Sequence, residues 1–230
     1  MKNKILRAFV TFVGFIGAMI ITLILFMLID KLQGLIFAPD EYLLYMFKPP
    51  YSYLVFFFQI EMMMFIIYTF YKNNKYSEFK WVSNIFNYIK KKILIVIGIN
   101  LFIFYMCITG VTVVTQDKIV DYSFYKPAGM IYSYDDILKI ETGFKGKTSG
   151  VFRRNRNAGD FYYVTNFKDG TKVDFYQASS PYEDTYLELE IFDDLITKSD
   201  VEKISSADNS QYCNLDQRYI DRFLRIISNR

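Results

Sequence analysis

Three long apolar runs, at residues 8–29, 51–71 and 93–115, constrain this chain more than any other feature. A helix needs about 20 apolar residues to span the hydrocarbon core of a bilayer. Within that core every backbone N–H and C=O must be satisfied by the segment itself, which favours a helix. Each run is long enough, so three transmembrane helices are expected. With Lys92 before it, the third run reads KILIVIGINLFIFYMCITGVTVVT over residues 92–115. Its direction of crossing decides on which side the rest of the chain works.

The charge pattern divides the chain at the same place. Residues 1–115 carry 11 Lys+Arg and 5 Asp+Glu, and residues 116–230 carry 16 and 19. A basic apolar half followed by a mildly acidic polar half predicts two domains, a membrane domain over 1–115 and a water-exposed domain over 116–230. The chain contains no histidine. That excludes Ser–His and Cys–His catalysis and removes the usual acid–base group of neutral pH. Cys107, inside the third run, and Cys213, near the C-terminus, read as small apolar fillers without a disulfide between them.

No small-x-small cleavage pattern follows the first run, so it reads as a retained span. Gly14, Ala18 and Thr22 fall four apart, which makes a face where another helix can approach closely. The aromatic stretch from Tyr42 to Phe47, opened by Pro39-Asp40-Glu41 and closed by Lys48-Pro49-Pro50, predicts a short helix lying in the interface. The second run places Glu61 at bilayer depth, where an acid must face protein or water. Asn100 in the third run lies at nearly the same depth on an antiparallel helix and is its natural partner. Lys72, Lys75, Lys80, Lys90, Lys91 and Lys92, with Phe79, Val82, Phe86 and Ile89 at helical spacing, predict a basic interfacial helix.

Topology follows from the basic residues. The N-terminal tail holds three Lys/Arg, the first loop two and the second loop six. The positive-inside rule then places the N-terminus and the second loop in the cytoplasm. The first loop and the C-terminal domain are expected outside the cell membrane.

In the second half, Lys118 to Tyr125 alternates as a strand does, and Pro127-Ala128-Gly129 predicts a turn. Two further strands are expected around Asp135-Asp136. Asp169-Gly170 between FYYVTNFK and TKVDF is a hairpin signal. Tyr186, Leu189, Phe192 and Ile196 then repeat at helical spacing, opened by Pro181, Glu183 and Asp184. Val201 to Ser205 predicts a short extended piece, and Asn214-Leu215-Asp216 caps a final amphipathic helix.

The stretch IYSYDDILKIETG, a variable loop, FYYVTNFKDGTKVDF and a helix, over residues 117–198, resembles the bacterial pleckstrin-homology-like domains attached to short membrane bundles. The resemblance implies a small antiparallel β-barrel closed by a helix. With the C-terminal helices, the expected fold is an α+β membrane protein. The segment from Val201 onward is additional to the family pattern. The resemblance implies binding or scaffolding without catalysis or a cofactor.

The loop KGKTSGVFRRNRN, at residues 145–157, carries five basic residues and no acid. Lys145, Lys147, Arg153, Arg154 and Arg156 suit a phosphate or carboxylate, and Phe152 suits a lipid surface. The expected function is a non-catalytic binding module whose partners are membrane lipid, an envelope protein or an anionic polymer, or a second copy. Nothing points to nucleic acid. The alternative is a small transport or channel component that uses Glu61. The paired acids read as a turn at Asp135-Asp136 and as an exposed helix face at Asp193-Asp194, so no metal site is expected.

Overall fold

A computed structural model describes residues 2–71, 80–147, 157–175, 178–182, 184–199 and 201–229. It is a mixed α+β protein whose sheets are mainly antiparallel. The chain forms two compact units. One holds Met1–Ile36, Lys48–Gly110 and Ser123–Tyr125, and the other Phe37–Phe47, Val111–Tyr122 and Lys126–Arg230. The division therefore falls at several points of the sequence rather than once after residue 115.

The first unit is helical. Helix α1 is Lys2–Phe37, α2 is Val55–Tyr71, α3 is Lys80–Lys91 and α4 is Ile93–Thr109. Among the described residues, Ala8–Phe37 and Tyr51–Thr69 are long and apolar enough to cross a membrane, and Ile93–Thr109 is a shorter apolar helix. Leucines such as Leu35 and Leu94 are 75% and 81% exposed. The small-residue face of α1 lies inward. Ala18 and Thr22 are buried, and a Cβ on Gly14 would stand 3.0 Å from Ile66 Cγ2 of α2. Helix α1 continues past Asp30-Lys31, and Gln33 Nε2 donates to the Cys107 carbonyl at 2.6 Å. At Ser123–Tyr125 the Phe124 ring lies 6.0 Å from that of Phe102 and 6.4 Å from that of Tyr51. The Tyr105 hydroxyl donates to the Phe124 carbonyl at 3.1 Å. Phe79 lies outside the described residues, as do the side chains of Trp81, Val82 and Phe86.

The second unit holds eight described strands and two helices. Strand β1 is Leu44–Phe47, β2 Val111–Val114, β3 Lys118–Ser123 and β4 Lys126–Ser133. They form one sheet in the order β1-β2-β3-β4. Strands β5 (Ile137–Phe144), β6 (Phe161–Phe167), β7 (Lys172–Asp174) and β8 (Glu202–Ser206) form another, in the order β7-β6-β5-β8. The pair β5–β8 is parallel. Helix α5 is Thr185–Thr197 and α6 is Gln217–Ser228. Leu44, Ile119, Ile140, Phe167, Phe192 and Phe223 come from both sheets and both helices and belong to one buried apolar cluster.

Three local expectations are corrected. Leu44–Phe47 is a strand and not an interfacial helix. It pairs antiparallel with β2, with Leu44 opposite Val114 and Phe47 opposite Val111. The third apolar run is helical only to Thr109, and Val111–Val114 is a strand. Val-Thr-Val-Val is β-branched throughout, and its crowded χ1 rotamers suit a pleated surface better than a helix. The turn expected at Pro127-Ala128-Gly129 lies inside β4, and the chain reverses at Phe124-Tyr125. Strand β4 is an edge of its sheet, the place where a strand most readily tolerates proline.

The other local signals act as their chemistry requires. Asp169-Gly170 joins β6 to β7, with Gly170 at φ 88°. Asp184 caps α5 by accepting from the Tyr186 and Leu187 N–H groups, and Asp216 caps α6 through Arg218 N–H. Ser133 and Asp136 form a reciprocal capping box around the Asp135-Asp136 turn.

Candidate functional site

The described base of the basic loop is closed by backbone hydrogen bonds. Lys145 N–H donates to the Asp160 carbonyl at 2.9 Å, and Gly159 N–H donates to the Lys145 carbonyl at 2.8 Å. Lys147 Nζ lies 4.0 Å from the centroid of the Tyr212 ring, an arrangement that favours the cation through the ring quadrupole. Asn209 Nδ2 donates to the Phe144 carbonyl at 3.4 Å and ties the segment before α6 to the end of β5. Of the loop residues expected to bind an anion, Lys145 and Lys147 stand at this base, while Phe152, Arg153, Arg154 and Arg156 lie outside the described residues.

Beside the loop base is a cavity of about 230 Å³. Its wall includes Asp160, Phe161, Tyr186, Cys213, Asn214 and Phe223. The Phe161 and Phe223 rings stack at 4.1 Å, 5° from parallel. Gly159 also lines the cavity, at φ 85°, and a Cβ there would collide with the Tyr212 backbone. Glycine is the residue that tolerates both demands. The sequence reading missed this wall. Its signal was the extra segment from Val201 onward, which supplies Tyr212, Cys213 and Phe223.

Of the acid pair on α5, Asp193 departs from the exposed face expected of it. Asp193 is fully buried. Its carboxylate accepts from the Tyr163 hydroxyl at 2.8 Å and from Asn229 Nδ2 at 2.9 Å. Lys203 Nζ reaches Asp193 Oδ1 at 2.6 Å and Oδ2 at 2.7 Å, and also the Ile226 carbonyl at 2.6 Å. Burial pushes the Asp193 carboxyl up and the Lys203 ammonium down, and the ion pair opposes both shifts. Burial also raises the Tyr163 hydroxyl well above its ordinary value, and the Asp193 charge adds to that. Every polar atom of Lys203 and Asp193 is engaged in holding β6, α5, β8 and α6 together, which leaves this node a structural role. Asp194 is exposed and accepts from Asn229 Nδ2 at 2.8 Å. Among the described residues no group of three or more Cys, Asp or Glu side chains is placed to hold a metal ion.

In the helical unit, Asn100 Nδ2 donates to Glu61 Oε1 at 3.2 Å and to the Val96 carbonyl at 3.0 Å. The structure thus brings Glu61 of α2 and Asn100 of α4 together. Glu61 lies on the wall of a groove of about 510 Å³, with Gly17, Ala18, Ile21, Phe65 and Ile66.

No family model, curated protein or solved structure matches this chain.

Proposed function

We propose that this is an integral membrane protein with three spans whose folded domain is a non-catalytic binding module for anionic lipid head groups. In this reading α1, α2 and α4 cross the bilayer and α3 lies on its cytoplasmic face. The N-terminus is cytoplasmic and the domain extracytoplasmic. The observation that carries the reading is the pairing of β1 with β2. Strand β1 follows the first apolar helix and β2 follows the last. Both must lie on one side of the membrane, and two crossings between them, by α2 and α4, satisfy that. Helix α4 has 17 residues, about the least that spans a hydrocarbon core.

Two four-stranded sheets that share one core with helix α5 support the pleckstrin-homology-like reading. Strand β8 and helix α6 are the additions. The resemblance supports a binding module, and the five basic residues of the 145–157 loop support anionic ligands. Each basic residue near an anionic leaflet contributes about 1 kcal/mol, within roughly a Debye length.

The test is co-flotation of the full chain, held in nanodiscs of neutral lipid, with vesicles containing phosphatidylglycerol. Binding in low salt, lost as salt rises and abolished by Arg153→Ser, Arg154→Ser and Arg156→Ser together, is expected. No binding to these vesicles would transfer the role to a protein or polymer partner.

A further inference from the structure

The groove in the helical unit combines three properties. It is large, at about 510 Å³, within the range of roughly 300–1,000 Å³ of small-molecule sites. Its wall is apolar apart from Glu61. It is also open at Gly17, where an added Cβ would meet nothing within 4 Å, in contrast to Gly14, where Ile66 closes the space.

Glu61 is what gives the groove its chemistry. It lies within α2, between Val55 and Tyr71, about 9 Å from one end and about 15 Å from the other at the rise of a helix. Asn100 donates to Oε1, while no protein donor to Oε2 is found among the described residues. A carboxylate at this depth is favoured only beside a cation or donor. The sequence supplies no basic residue within residues 51–71 or 93–115, so a cation that pairs with Oε2 comes from outside those spans. Met62 and Met64 also line the groove, and their flexible thioethers adapt to chains of varied shape.

We propose that this groove binds a lipophilic amine, an apolar chain with one protonated amine that pairs with Glu61 while the chain lies along Gly17 and Ile21. The amine supplies the charge that the apolar wall lacks, and Asn100 holds the carboxylate toward it. An alkyl alcohol offers the same chain with a neutral donor and binds less. An alkyl carboxylate is repelled. The site rests on the helices lying in a bilayer and does not depend on what the folded domain binds.

The experiment uses the full chain in nanodiscs of neutral lipid and two photoreactive probes, dodecylamine and dodecanol, each with a diazirine near the chain end. Adducts are mapped by mass spectrometry. The amine probe is expected to label peptides containing Ile21 and Met62 to Phe65 at least tenfold more than the alcohol does. Glu61→Gln removes that excess. Gly17→Phe, which fills open space and keeps the carboxyl, removes it too. Labelling of lipid-facing Leu94 and Leu101 by both probes separately reports that the helices are embedded. Equal labelling of the groove by both probes, or an amine excess unchanged in both variants, would show only lipid chains filling a crevice and would overturn the proposal. Adducts absent from the groove, or probe-independent crosslinks joining two copies there, would overturn it as well.

Discussion

Lys203 Nζ lies 2.6 Å from Asp193 Oδ1, with side-chain exposures of 3% and 0%. Two charges taken out of water in this way hold only as a pair. Removing one partner leaves the other buried and unmatched, at a cost of about 3–5 kcal/mol. Asp193→Leu or Lys203→Met is therefore expected to destabilise the domain severely, as read by thermal unfolding of the purified chain. The double variant is expected to recover much of the loss, because two apolar side chains restore a neutral interior. A double variant as unstable as the sum of the singles would contradict this.

A pH dependence follows from α5 and α6. Arg222 Nη1 lies 2.5 Å from Asp184 Oδ2. Burial, the largest influence on Asp184, pushes its carboxyl up. The Arg222 hydrogen bond and charge, with the Leu187 and Tyr186 N–H groups, outweigh it and hold the carboxyl below its ordinary value of 3.8. The folded state then binds this proton less readily than the unfolded chain. The associated stability is complete above the unfolded value and is lost as pH falls through the lower folded one. Unfolding temperature measured between pH 6 and pH 3 should fall at the acid end, and Asp184→Asn should flatten that fall. At neutral pH, Asp184→Ala should cost about 1–2 kcal/mol through the lost helix cap.

Strand β1 makes a prediction about fragments. Leu44 is fully buried in the core cluster and pairs with Val114. Residues 116–230 alone lack both strands and are expected to be aggregated or unfolded by circular dichroism and gel filtration. Joining residues 37–47 to 111–230 through a short linker should restore a soluble, cooperative domain. Within the full chain, Leu44→Ala is expected to cost about 2–5 kcal/mol, as large-to-small changes at buried sites do.

The apolar runs, the Asp169-Gly170 hairpin and the caps at Asp184 and Asp216 were legible because each is a local signal. Strand β1 was not, since Leu44-Tyr45-Met46-Phe47 is apolar throughout and lacks the alternation of a half-buried strand. Its partner β2 lies far along the sequence and was hidden in the tail of an apolar run. The burial of Asp193 was recoverable in part. It falls four residues after Leu189 and three before Ile196, on the apolar stripe of α5. A helical acid on an apolar stripe calls for a cation, and Lys203 is on the next strand. The cavity wall at Tyr212 and Cys213 had only a coarse signal, the additional segment from Val201 onward, because a loop and not a periodic element brings those residues to the cavity.

The polar contact of the helical unit is testable by a mutant cycle. With Asn100 donating to Glu61, Asn100→Leu should destabilise the bundle by about 0.5–2 kcal/mol. In a chain that already carries Glu61→Leu, the same change should cost far less. Additive losses in the steric-trap or thermal assay used would contradict the contact.

The central claim, that the segment bearing β1 and the folded domain share the outer side of a three-span protein, is tested most directly by single-cysteine labelling. Cys107 and Cys213 are first replaced by Ala and Ser. Asp40→Cys, Lys126→Cys and Asn87→Cys then place one thiol each before β1, in β4 and on α3, at exposed positions. An impermeant maleimide applied to intact cells should label positions 40 and 126, and position 87 only after permeabilisation. Labelling of position 87 in intact cells, or of 40 and 126 on opposite sides, would contradict the account.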